Sequence, residues 1–90
     1  MTNKEIKEIC IEEQTKQGCE NYPKYKFRII QTATKVKVYW EYLDGKCWTI
    51  DKRDLIVKNE HNEFMNDYFD YNRTLEETIK SCVYYMVNRY

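Results

Sequence analysis

Residues 36–50, V-K-V-Y-W-E-Y-L-D-G-K-C-W-T-I, decide how this 90-residue chain folds. Val36, Val38, Trp40 and Tyr42 alternate with Lys37, Tyr39 and Glu41, the period of a strand with one buried face. A two-residue Asp44-Gly45 turn would pair Tyr39 with Ile50 and set Trp48 opposite Glu41. A three-residue loop, Leu43-Asp44-Gly45 with Gly45 left-handed, pairs Trp40 with Trp48 and Val38 with Ile50. That register collects every large apolar side chain except Tyr39 and Leu43 on one face, so burial selects it. Lys35, Lys37, Tyr39, Glu41, Cys47 and Thr49 then point outward.

Upstream, Tyr22-Pro23 breaks the chain, and Tyr25, Phe27 and Ile29 then alternate with Lys24, Lys26 and Arg28 in a first strand. Setting Phe27 and Ile29 beside Val36 and Val38 requires a two- or four-residue connection within Gln31–Lys35. Thr2 followed by Glu5 is a capping box and Gly18 a C-terminal stop, so residues 3–17 form a helix. Its apolar face is thin, Ile6, Ile9 and Cys10 with Ile11 beside them, which suits a helix lying across a sheet.

Downstream, residues 51–59 admit two structures. Leu55-Ile56-Val57 suits a short fourth strand, whereas Asp51 suits a helix cap with Asp54 in the first turn. We take a helix to begin within 52–62. From Glu60 the spacing is helical: Phe64, Met65, Tyr68, Phe69 and Tyr71 cover one side, and Glu60, Glu63, Asp67 and Asp70 form an acidic stripe on the other. After Asn72-Arg73, a second capping box, Thr74 with Glu77, opens a final helix. Leu75, Ile79, Cys82, Val83, Met86, Val87 and Tyr90 recur along it at helical spacing. The expected architecture is a two-layer α+β domain over residues 1–90. It has an N-terminal helix, a three-stranded antiparallel sheet and two helices packed on one sheet face. No sequence remains to cover the other face.

The balance of 42% hydrophobic and 33% charged residues suits one globular domain with a modest core. Fifteen basic and fifteen acidic side chains cancel, removing any overall pull toward nucleic acid or anionic membrane. No apolar run reaches the ~18 residues of a membrane span, and the N-terminus is not a signal peptide, so a cytoplasmic location is expected. Nine Tyr and eleven Lys beside one Ala suggest an AT-rich gene, as in low-GC bacteria and their phages. Cys10, Cys19, Cys47 and Cys82 form no C-x-x-C pair, and Cys10 and Cys82 fall on apolar faces as reduced, structural thiols. A zinc site would need Cys19, Cys47, the lone His61 and a fourth ligand from elsewhere, so no metal or cofactor is expected.

Catalytic signatures are lacking. There is one Ser, mid-helix Ser81, no phosphate-cradling loop and no nucleophile elbow, and His61 lies in a polar run. A non-enzymatic binding role is expected. Charge is segregated: residues 14–58 carry ten basic and five acidic side chains, whereas residues 59–90 carry three and six. Lys24, Lys26, Arg28, Lys35, Lys37 and Tyr39 should share the exposed sheet face, a basic and aromatic surface of the kind that single-stranded nucleic acid binds. Tyr84, opposite the last helix's apolar stripe, and Tyr85, at its edge, are candidate contacts for a protein partner or a second copy.

The helix–strand–strand–strand–helix order is similar to that of the double-stranded RNA-binding domain. That family reads RNA with a Lys-rich N-terminus on its last helix. The corresponding turn here, Thr74-Leu75-Glu76-Glu77, is acidic, so its functional residues do not carry over. In size and element order the chain also resembles small phage anti-CRISPR proteins, which use acidic surfaces to occupy a nuclease's DNA-binding site. No motif transfers. The resemblance implies a phage or mobile-element inhibitor of a host nucleic-acid-handling defence protein or complex, with Glu60, Glu63, Asp67 and Asp70 imitating phosphates. The alternative is a single-stranded nucleic-acid-binding module that uses the basic sheet face.

Overall fold

The computed structural model describes residues 1–17, 26–41, 46–69 and 74–88. The first helix, α1 (Asn3–Lys16), begins at the expected capping box: the Glu5 N–H donates to Thr2 Oγ1 and the Thr2 N–H to Glu5 Oε1, both at 3.1 Å. Gly18 lies outside the described residues. The α1 face that enters the core is Ile6, Cys10 and Gln14, one residue every four. Gln14 is buried because Trp40 donates its indole N–H to Gln14 Oε1 at 2.8 Å. A polar side chain completes the stripe, since a buried indole needs an acceptor.

Strands β1 (Phe27–Gln31), β2 (Lys35–Trp40), β3 (Cys47–Asp51) and the short β4 (Val57–Lys58) form an antiparallel sheet in chain order. β1 and β2 join through the two-residue connection Ala33-Thr34, closed by the Thr32 N–H donating to the Lys35 carbonyl at 2.9 Å. Ile29 sits opposite Val38 and Phe27 opposite Trp40. The β2–β3 register corrects the expected one. Val38, not Trp40, faces Trp48, and Val36, not Val38, faces Ile50. The Trp40 N–H meets the Lys46 carbonyl, so residues 41–45 connect the strands in place of a three-residue loop. Residues 42–45, including the Asp44-Gly45 turn, lie outside the described residues. A slip of two residues leaves every side chain on its own face, so burial does not distinguish the registers. The observed one also sets Lys35 against Asp51, with Nζ 3.1 Å from Oδ2.

Beyond β3 the expected helix, beginning within 52–62 and running on from Glu60, is replaced over the described residues 52–69 by a turn, the short strand β4 that Leu55-Ile56-Val57 also suited, and a 3-10 turn at Asn66–Tyr68. Side chains that hydrogen-bond to nearby backbone prevent the helix. Asp51 Oδ1 accepts from the Arg53 N–H, and Asp54 Oδ1 from the Ile56 N–H. Asn59 Oδ1 accepts from the N–H groups of both His61 and Glu63. Leu55 and Asn62 take φ of 61° and 62°, left-handed conformations that a continuous helix excludes. Phe64 bridges to Lys58 as a strand-like pair and is 59% exposed rather than packed.

Helix α2 (Leu75–Asn88) opens as expected, the Glu77 N–H donating to Thr74 Oγ1 at 3.1 Å, and buries Thr78, Ile79, Cys82, Val83, Met86 and Val87. α1 and α2 pack on each other and on the inner sheet face, around Phe27, Val36, Val38, Trp40, Trp48, Ile50 and Val57. The result is a small two-layer α+β domain with both helices on one side.

Gln14→Leu should destabilise the protein by about 1–3 kcal/mol, because it removes the acceptor from a buried indole N–H. In a Trp40→Phe background, which has no N–H to orphan, the same substitution should be nearly neutral. Urea unfolding of the four proteins measures the coupling; equal effects in both backgrounds would dismiss the bond as a tie between the layers.

Candidate functional site

The alternation that buries Val36, Val38 and Trp40 turns Lys35, Lys37 and Tyr39 to the opposite face, and pairing adds Arg28, Cys47, Thr49, Asp51 and Lys58 from the other strands. Neither helix reaches this side. Each expected residue of the basic face that is described is placed on or beside it: Arg28, Lys35, Lys37 and Tyr39 on the sheet, and Lys26 exposed just before β1. Lys24 lies outside the described residues.

Two cation–aromatic pairs stand on the face. The Arg28 guanidinium lies over the Tyr39 ring, 4.3 Å from its centre, and Lys58 Nζ lies 4.9 Å from the centre of the Phe64 ring. Such contacts at exposed sites contribute about 0.5–1 kcal/mol each, enough to orient a long side chain. The Tyr39 hydroxyl also hydrogen-bonds to the Cys47 thiol, which holds its pKa above the usual phenol value against the opposing pull of Arg28. Beside the Lys58–Phe64 pair runs an open groove of about 490 Å³, its walls including Lys35, Lys37, Thr49, Lys58 and Phe64.

The groove's acidic end is neutralised internally. Asp51 Oδ2 takes the Arg53 guanidinium at 2.7 Å and Lys35 Nζ at 3.1 Å. The hydrogen bonds from Arg53, with Lys35 adding to them, hold the Asp51 carboxyl well below the usual carboxylate range. Lys37 and Lys58 pair with no acid among the described residues. They are available to an external anion, as Arg28 is on the same face. Lys58 and Phe64 escaped the sequence-based site because the segment read as helical. The usable signal was Val57-Lys58, an apolar-out-of-phase pair that continues the inner and outer faces of the sheet.

The acidic stripe does not exist as a helix face, since no helix runs through residues 60–69. Glu60 Oε2 accepts the Trp48 indole N–H at 2.9 Å, and Glu63 Oε1 accepts from Asn59 Nδ2 at 3.1 Å. Asp67 lies in the 3-10 turn, and Asp70 is outside the described residues. Tyr85 also belongs to the fold: it stacks on Phe69 at 5.4 Å, which in turn stacks on Trp48 at 6.4 Å. Tyr84 meets the Tyr85 ring edge-on at 5.1 Å and is 42% exposed. Among the described residues no three His, Cys, Asp or Glu side chains converge as metal ligands, and no helix is long and apolar enough to cross a membrane.

Two predictions follow from this chemistry. The Asp51 carboxyl has a lower pKa folded than unfolded, so its contribution to stability is present above the unfolded value of about 3.9 and is lost as pH falls below it. The urea midpoint of Asp51→Asn should therefore lie below wild type at neutral pH, with the gap closing toward pH 3; a pH-independent gap would refute the linkage. The thiols provide the second. Burial pushes the Cys10 thiol up to about 12 and the Cys82 thiol well above its ordinary value, whereas Cys47 is half-exposed. In a Cys19→Ser background, native alkylation should modify Cys47 first, and Cys47→Ser should abolish that fast phase.

No protein-family model matches the chain, and neither a curated protein nor a solved structure does.

Proposed function

We propose that this chain is a non-enzymatic binding module that holds single-stranded nucleic acid across the outer face of its sheet. One observation supports it above others: the outer sheet face sets Lys37 and Lys58, neither of which pairs with an acid among the described residues, beside two aromatic side chains, Tyr39 and Phe64. Single strands bind such surfaces because cations follow the phosphates and rings stack on the bases without regard to sequence. A groove open along its length suits a flexible strand better than a compact small molecule, which needs enclosure. A duplex RNA reader would instead present cations at the start of its last helix, where this chain has Glu76 and Glu77. The phage-inhibitor reading rests on a helical acidic stripe; here Glu60, Glu63 and Asp67 are exposed but not on one helix face, and Glu60 and Glu63 accept hydrogen bonds from the protein's own side chains, so less supports that reading than the sheet face.

Fluorescence anisotropy with oligo-dT and oligo-U at several salt concentrations tests the proposal. Lys37→Gln with Lys58→Gln should leave folding intact and flatten the log–log salt dependence by roughly 0.7 per lost phosphate contact. Phe64→Ala should weaken binding by about 1–3 kcal/mol, the range for losing one stacked base, at an unchanged salt slope. Bound oligonucleotide should also shield Cys47 from alkylation. Absence of binding at low salt, or binding indifferent to both variants, would overturn the assignment.

A further inference from the structure

Asp51, at the acidic end of the outer groove, is neutralised by Arg53 and Lys35. A second carboxylate of the same groove stands outside that set. Asp54 lies in the turn between β3 and β4, lines the groove and forms no ion pair among the described residues. Arg53, beside it in sequence, directs its guanidinium to Asp51 instead, at 2.7 and 3.0 Å. Asp54 Oδ1 accepts the Ile56 N–H at 3.0 Å, and Oδ2 takes no hydrogen bond from a described residue. The carboxylate is held in place with most of its accepting capacity unused, because each of its oxygens has two lone pairs.

Its surroundings in the groove are apolar. Ile56 and Phe64 both line the groove and both are exposed. Lys58 pairs with Phe64, and Ile56, two residues before Lys58, projects on the same side of the sheet. The groove thus has a cationic part, Lys37 and Lys58, and beside Lys58 an apolar shelf with a fixed carboxylate at its margin. In a groove that takes a polyanion, a carboxylate facing phosphate would repel it. Facing the N–H groups of a base, it is compatible with the strand.

We infer that the shelf of Ile56 and Phe64 receives a guanine base of the bound strand, with Asp54 accepting from its ring N1–H and its 2-amino group. This rests on the single-strand reading above and adds a base preference to it. Stacking on Phe64 tolerates any base, so a preference must come from the base edge. On its pairing edge guanine presents two adjacent donors, which the two oxygens of one carboxylate can accept together. Adenine, cytosine and thymine or uracil each place an acceptor next to the donor there, and a carboxylate has nothing to donate to it. Lys58 and Lys37, two strands apart across Thr49, remain for the phosphates.

Fluorescence anisotropy on the full chain tests it, with short oligo-dT strands that are unmodified or carry one central guanine, hypoxanthine or adenine. The guanine strand should bind roughly tenfold more tightly than oligo-dT, the scale of one bidentate base contact. Hypoxanthine keeps the ring N1–H but lacks the 2-amino group, so it should lose most of that gain, and adenine all of it. Asp54→Asn retains an oxygen for the Ile56 N–H, so the turn should hold, but it exchanges the other oxygen for a donor. It should erase the guanine preference while binding oligo-dT at least as tightly, since it removes a negative charge. Guanosine monophosphate at matching concentrations should not displace the strand, because a single nucleotide forgoes phosphate contacts; displacement would make the ligand a free nucleotide and overturn the inference. Oligo-dT that binds with no gain from guanine, hypoxanthine equal to guanine, or a preference that survives in Asp54→Asn would overturn the inference alone. Failure of every strand to bind at low salt would overturn the single-strand reading with it.

Discussion

The hydrogen bond from Trp40 to Gln14 joins the two layers, and the rest of the arrangement follows from it. Trp40 ends β2 and stacks on Phe27 of β1 with ring centres 6.4 Å apart, so one indole links two strands to the helix above them. Because α1 is held over this end of the sheet, its N-terminus reaches the other end, where Gln31 Nε2 donates to the Met1 carbonyl and to Asn3 Oδ1. α2 then fills the space beside α1. Both α-helices are thereby committed to the inner face, and the outer face is left to polar and cationic side chains with a few exposed apolar ones, Ile30 and Phe64 among them.

Much of this was legible in residue periodicity. Alternation in Val36–Trp40 and in Phe27–Ile29 assigned each strand residue to its correct face, and the Thr2/Glu5 and Thr74/Glu77 pairs marked both helix starts. Register was less legible, because faces repeat every two residues and the connection through residues 41–45 was free to lengthen. Residues 51–69 were misread for a different reason. Their apolar spacing suits a helix, but Asp51, Asp54 and Asn59 each bind backbone groups close by, and periodicity does not register that competition. Gln14 was missed because a buried amide looks like a solvent residue until its indole partner is known.

The same logic explains which parts of the site were found. Residues that share a strand with the core reveal their outward neighbours by parity, so Arg28, Lys37 and Tyr39 were recoverable. Lys58 and Phe64 come from the segment whose structure the apolar pattern misstated. Their addition changes the chemistry, because the face now ends in a second ring beside a cation. Glu60 moves the opposite way. As the acceptor for Trp48 it belongs to the fold, where sequence placed it on a surface stripe.

A chain with no net charge can still hold a polyanion, because the two signs lie on different faces. The cations of the outer sheet face are separated from Glu8, Glu12, Glu76 and Glu77 on the helices by the thickness of the domain. The domain's smallest extent is 24 Å, well beyond the Debye length of about 8 Å at physiological salt, so a strand lying on the sheet is attracted mainly by nearby lysines. Further away the two faces cancel. Long-range steering is therefore weak, association should run closer to the unsteered rate than the diffusion limit, and affinity should rest on short-range contacts. This favours a surface where a few lysines act with rings over one that relies on charge density, and Lys58 with Phe64 supplies that combination.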